Sequence, residues 1–209
     1  MKKSHQKQLP VLFKPKPNSW PDIMFATHCL DVPLEALCMF AHAYYDAAEL
    51  FFQQIMKGLN KEDRYAEDRI FPALFLFRHC VELYLKAMII YCLEIKNPYT
   101  VFKSPNLKDV FEEHRLGFLY KRLQEVWPNQ TRKPLSTSAE KILNQLIQVD
   151  NKSAAFRYPF GAGFKAILPA RFQANSADIW DKLEELGSEL YGRLEGLVQW
   201  AEGNSSNRD

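Results

Sequence analysis

At 209 residues the chain is long enough for one full core and cramped for two independent domains. A hydrophobic share of 47% and an aromatic share of 13% exclude general disorder, and eight glycines are few for a turn-rich all-β architecture. A net charge of +2 gives no global electrostatic case for nucleic-acid binding.

The chain opens with an uneven stretch. Lys2, Lys3, Lys7, Lys14 and Lys16 precede the first acid, Asp22, with Pro10, Pro15, Pro17 and Pro21 between them. Residues 1–21 therefore read as a flexible basic arm, either a solubilising tail or a contact for nucleic acid. Residues 22–201 read as a single helical domain. Asp31-Val32-Pro33 makes a helix start, since Asp caps well and Pro suits the first turn. From there Leu37, Phe40, Ala41, Tyr44, Ala48, Phe51, Phe52 and Ile55 recur at helical spacing to about Lys57, before Gly58 and Asn60. A charged connection, Lys61 to Arg69, leads into a second helix over about Phe71–Ile95. That helix is apolar nearly all round, which predicts a central position covered by neighbours.

The spacing predicts a third helix over about Leu107–Val126, with Val110, Phe111, His114 and Phe118 facing inward, and a stop before Pro128. A fourth runs from Ser136 or Thr137 to about Asp150, with Glu140 as a capping-box partner. Two short aromatic runs, Ala155–Phe160 and Phe164–Leu168, then flank Gly161-Ala162-Gly163 and read as a β-hairpin or an ordered loop. A last helix spans about Ser176–Ala201, with Ile179, Leu183, Leu186, Leu190, Leu194 and Leu197 on one face, and 202–209 reads as a disordered tail. The fold class expected is all-α: an antiparallel bundle of about five helices with a short hairpin or ordered loop near 155–168.

The second helix carries the most informative polar groups. At 100° per residue, Arg78, Glu82 and Lys86 fall within an arc of about 80°, bordered by His79. Charges on a helix of Leu, Phe, Ile and Ala need partners. They form either a site lining a groove, with His as a base and Arg holding an anion, or an i, i+4 Arg78–Glu82 pair with a histidine satisfied by another helix. His114 reads as a hydrogen-bonded core histidine or a further site group. Asp150 and Arg157 bracket the passage out of the fourth helix. A period-two strand would turn Arg157 away from Phe156 and Tyr158, leaving it to bridge Asp150 or Glu82, or to hold an anion.

Other chemistries lack their signatures. The chain has no Gly-x-x-x-x-Gly-Lys-Ser/Thr, Gly-x-Gly-x-x-Gly, His-Glu-x-x-His or Gly-x-Ser-x-Gly string, and no metal or cofactor is expected. Cys29, Cys38, Cys80 and Cys92 form no Cys-x-x-Cys pair and read as reduced core residues. The apolar region Ile70–Ile95 is broken by charge, which disfavours a membrane span, and the N-terminus has no signal-peptide stretch. The expected location is the cytoplasm.

Three stretches together carry a family resemblance: Phe77-Arg78-His79-Cys80-Val81-Glu82-Leu83-Tyr84-Leu85-Lys86-Ala87; His114-Arg115-Leu116-Gly117-Phe118-Leu119-Tyr120; and Asp150 followed by Ser153-Ala154-Ala155-Phe156-Arg157-Tyr158-Pro159. In this order the chain resembles uncharacterised bacterial helical proteins of the HEPN (higher eukaryote and prokaryote nucleotide-binding) superfamily, over roughly Phe71–Leu197. The resemblance implies a helical bundle, often dimeric, among proteins that include metal-independent ribonucleases of toxin–antitoxin and anti-phage systems. The residues themselves offer Arg78, His79 and Glu82 as catalytic candidates, with Lys86, His114, Asp150, Arg157 and Tyr158 as binding candidates; neither His79 nor His114 carries over as the superfamily's catalytic histidine. The superfamily's usual catalytic string is Arg, four to six residues, then His. Here Arg78 and His79 are adjacent, and no Arg precedes a His at that spacing. The reading that follows is a non-catalytic binding or dimerisation module of a bacterial defence or toxin–antitoxin system. Its expected partner is a second copy or a helical protein, with RNA or a nucleotide as ligand and no membrane. The alternative is a divergent metal-independent ribonuclease or nucleotide-processing enzyme.

Overall fold

The structure is a computed structural model that describes residues 33–59, 67–96, 105–128, 133–158 and 175–205. Among these residues the chain is all-helical. Six helices, α1 Pro33–Leu59, α2 Ile70–Lys96, α3 Pro105–Glu112, α4 Leu116–Val126, α5 Thr137–Asp150 and α6 Ser176–Ser205, pack as a bundle. The basic arm lies outside the described residues.

α2 is the central helix and packs against α1, α3, α4 and α6. Its sequence dictates this: Ala73, Phe77, Cys80, Val81, Leu85, Ala87, Met88, Ile89, Ile90 and Cys92 cover every side of the helix and all are fully enclosed. Its neighbours bury only a stripe. α1 turns inward Ala41, Ala48, Phe52 and Ile55, and α6 turns inward Leu183, Leu186, Leu190, Leu194 and Leu197, both at three- and four-residue steps. Each large apolar side chain so buried contributes about 1.5–3 kcal/mol. At Gly187 α6 lies tight against α1 and α2, since an added Cβ would lie 2.5 Å from the Tyr45 ring of α1 and 3.4 Å from the Phe77 ring of α2. Among the described residues no helix is long and apolar enough to cross a membrane.

Three elements differ from the sequence-based expectation. The predicted third helix is two helices, α3 and α4, separated by residues 113–115. The Glu113 carboxylate accepts from the backbone N–H groups of His114 at 2.9 Å and Arg115 at 2.8 Å, so these donors leave the helical ladder. α4 then starts against the end of α5: Leu116 N–H donates to the Asn151 carbonyl at 3.2 Å, and Gly117 N–H to the Asn151 side-chain oxygen at 2.9 Å.

Residues 155–158, read as part of a hairpin or an ordered loop, form a tight helical turn, which fits the loop reading and not the strand. The N–H groups of Arg157 and Tyr158 both donate to the Ala154 carbonyl. Asp150 starts that turn by accepting from Ala154 N–H at 2.8 Å and Ala155 N–H at 3.1 Å, and Ser153 takes a left-handed φ of 58°. The rest of the expected hairpin, 159–168, lies outside the described residues. α6 continues to Ser205, so 202–205, expected in the tail, are helical.

The N-terminus of α5 falls where expected, at Ser136, whose hydroxyl accepts from Ala139 N–H. Its reciprocal partner is Glu189 of α6 instead of Glu140. The Glu189 carboxylate accepts from the Ser136 backbone N–H and hydroxyl, both at 2.5 Å, which ties α5 to α6.

Candidate functional site

Arg78, Glu82 and Lys86 occupy successive turns of α2 and are all buried. Glu82 is their hub. One carboxylate oxygen pairs with the Arg78 guanidinium; the other accepts from Lys86 Nζ and meets His114 Nδ1, each at 2.8 Å. Two cations against one acid would leave excess buried charge, and backbone carbonyls absorb it. Arg78 donates further to the carbonyls of Asp150 at 3.4 Å, Asn151 at 3.2 Å and His114, while Lys86 donates to the Phe111 carbonyl at 2.9 Å. These carbonyls belong to the C-terminal ends of α5 and α3 and the link beyond α3. Such ends carry unpaired acceptors and partial negative charge, which buried cations complement. The break after α3 thus has a cause on another helix: α2 holds the carbonyls at that point.

Burial, the largest single influence on Glu82, pushes its carboxyl upward. The Lys86 hydrogen bond and charge, the His114 hydrogen bond and the Arg78 charge together outweigh it and hold the group below the ordinary carboxylate range. Because an ionised carboxylate only accepts, His114 Nδ1 carries a proton toward Glu82, which leaves Nε2 as the ring nitrogen that Glu82 does not engage. The His114 side chain is 61% exposed. It lies in the link between α3 and α4, not on an inward helical face, so the expected core histidine is a rim residue held by a buried acid.

His79, half-buried, has Nδ1 4.0 Å from Glu82. Its ring meets Tyr44 edge-on at 4.5 Å and stacks on Phe75 with centroids 6.2 Å apart. Burial first, then the charges of Arg78, Lys86 and His114, lower its pKa against the opposing pull of Glu82, and the neutral form is favoured.

Arg157 does not bridge Asp150 or Glu82. The helical turn points its guanidinium back onto Ser153, whose carbonyl accepts from Nε at 2.6 Å, and over the Phe75 ring at 5.3 Å and the Tyr158 ring at 5.8 Å. A strand would have carried it away from Tyr158. Asp150 is buried, and its second carboxylate oxygen has no hydrogen-bond partner among the described residues. At the other end of the rim, Arg115 pairs with Glu113 at 2.6 Å and lies over the Phe118 ring at 5.3 Å. Hydrogen bonds from Arg115, above all, hold the Glu113 carboxyl down at about 2.

The expected site residues therefore divide by position. Arg78, Glu82 and Lys86 converge and seal one another inside the bundle, while Asp150 caps a turn beside them. His79, His114, Arg157 and Tyr158 border solvent around that knot, and Arg115 extends the rim. Among the described residues no three of His, Cys, Asp or Glu are grouped to hold a metal ion. Cys80 and Cys92 are buried and Cys38 is half-buried, none of the three in a disulfide, and burial pushes the Cys80 thiol up, away from the reactive thiolate.

Asn151, Glu113, Phe75 and Phe118 join the site without having been expected. The sequence marked Asn151 only as the residue after a helix end, and Glu113 only as a charge inside a longer helix. Phe75 carried a usable signal: it lies four residues before His79, on the same helical face. Compared with family models, with curated proteins and with solved structures, the chain matches none of them.

Proposed function

We propose that the chain is a HEPN-like, non-catalytic binding module of a bacterial defence or toxin–antitoxin system, and that it holds single-stranded RNA on the rim formed by Arg157, Tyr158, Phe75, His114, Arg115 and Phe118. The observation that carries the non-catalytic reading is the enclosure of Arg78. Its guanidinium is given over to Glu82 and three backbone carbonyls, so it has no face to offer a phosphate. Two cations that do reach solvent beside it, Arg115 and Arg157, lie over aromatic rings, among them the exposed rings of Phe118 and Tyr158. Aromatic faces interleaved with arginine suit unpaired bases and their phosphates without base specificity.

Fluorescence anisotropy of a labelled oligouridine in EDTA tests this. Binding should weaken with salt, and the RNA should be recovered intact. Arg157→Ala and Tyr158→Ala should each cost about 1–3 kcal/mol of affinity with unfolding unchanged. Absence of binding at low salt would remove the proposal.

A second reading, a divergent ribonuclease, is favoured by one contact. Glu82 orients His114 so that the free ring nitrogen of an exposed imidazole is available as a base, with His79 on the other oxygen of the same carboxylate. That reading requires RNA cleavage in EDTA leaving cyclic-phosphate ends, abolished by His114→Ala in a folded protein. A folded wild-type protein that cleaves no RNA rules it out.

A further inference from the structure

On the side of the bundle where α1, α2 and α6 meet, His42 and Tyr45 of α1, Tyr84 of α2, and Gly187, Ser188 and Tyr191 of α6 line a half-open pocket of about 310 Å³, its mouth included. None of these residues belongs to the polar knot or its rim. Three tyrosines from three helices converge on one small space, with the His42 and Tyr191 rings 5.8 Å apart at its edge. Gly187 makes the room: a side chain there would collide with the Tyr45 ring, which is held from behind by Phe77 and Trp180.

Among the described residues, carboxylates gather around the pocket. Asp46 lies 3.8 Å from His42, Glu49 and Glu184 act on Tyr45, and Glu195 hydrogen-bonds the Tyr191 hydroxyl. Among the described residues no Lys or Arg lines the pocket, and Arg193 on the neighbouring turn of α6 is held by Glu189 at 3.1 Å. Burial, with Glu184 and Glu49 adding to it, pushes the Tyr45 hydroxyl up to about 12, so the ring stays neutral and electron-rich at physiological pH. Aromatic faces attract a cation through their quadrupole, and the surrounding carboxylates add a long-range field of the same preference.

We propose that this pocket is a binding site for a small organic cation, a quaternary or methylated ammonium group seated against Tyr45, Tyr84 and Tyr191 and drawn in by Asp46, Glu49, Glu184 and Glu195. The proposal is independent of the RNA rim, with which the pocket shares no residue.

The experiment titrates the full chain with choline and, separately, with 3,3-dimethylbutan-1-ol, the neutral carbon analogue of the same shape, following pocket resonances by NMR. Choline should bind at least about tenfold more tightly than the alcohol, and Tyr191→Ala, at the exposed rim, should weaken it by about tenfold with the melting temperature unchanged. Glu184→Gln should weaken choline alone, and Gly187→Ala should abolish binding by displacing the Tyr45 ring. Equal binding of choline and the alcohol, no choline binding at about 50 mM, or choline binding untouched by Tyr191→Ala would each overturn the proposal.

Discussion

At the scale of single residues, two positions expose what the packing demands. Gly187 stands inside α6, where a glycine costs helix stability relative to alanine, and the nearness of the Tyr45 ring explains it. Gly187→Ala should lose about 1–3 kcal/mol in urea unfolding, because Tyr45 is wedged against Phe77 and Trp180 and cannot swing away freely. Ser153 holds a left-handed φ of 58° with a side chain, a conformation that glycine adopts without strain. Ser153→Gly should therefore be neutral or stabilising by up to about 1 kcal/mol in the same assay; a loss of comparable size would show that its buried hydroxyl matters more than its backbone. The polar residues of α2 were legible because charge on an apolar helix is conspicuous. The Arg78–Glu82 pair could be read from its four-residue spacing, but the partners beyond the helix could not. Arg78, Lys86 and His114 draw on backbone carbonyls or on a side chain far along the chain, and carbonyls have no letter in a sequence.

At the scale of elements, apolar spacing located α1, α2, α5 and α6 because each buries a stripe or a whole surface that only a helix presents. It failed between Pro105 and Val126 for a physical reason. Leu107, Val110, Leu116, Leu119 and Leu123 are all buried, so the inward pattern resumes after the break, and what interrupts the helix comes from outside it. Glu113 diverts two N–H groups, and Lys86 and Arg78 draw off the carbonyls. A similar exchange between elements caps α5, where Glu189 of α6 does the work expected of Glu140. Ser136→Ala removes the cap and an interhelical bond together and should cost about 1–2 kcal/mol. Asn151→Ala leaves the Gly117 N–H without its side-chain acceptor at the start of α4. Amide exchange there should speed up while the α2 core amides stay protected.

At the scale of the whole molecule, the bundle holds ionisable groups in states that acid opposes. Burial keeps His79 below its ordinary value of 6.5, so the unfolded chain takes up that proton first and stability declines as pH falls past 6.5. Glu82, Glu113 and Glu189 are held below their ordinary value of 4.5, and the stability they provide above it is lost as pH drops through their lower folded values. Urea midpoints should be level near neutrality, fall below about pH 6.5, and fall further below about pH 4.5; a midpoint that rises on acidification would contradict this assignment of charge.

The central claim is that Arg78 and Glu82 form a structural knot instead of a reaction centre, and its most direct test is a double-mutant cycle in urea unfolding with Arg78→Met, Glu82→Met and the pair. Each single change strands a buried charge and should cost about 3–5 kcal/mol, and the double change should cost clearly less than the sum. Single variants that unfold like the wild type, or costs that simply add, would contradict it.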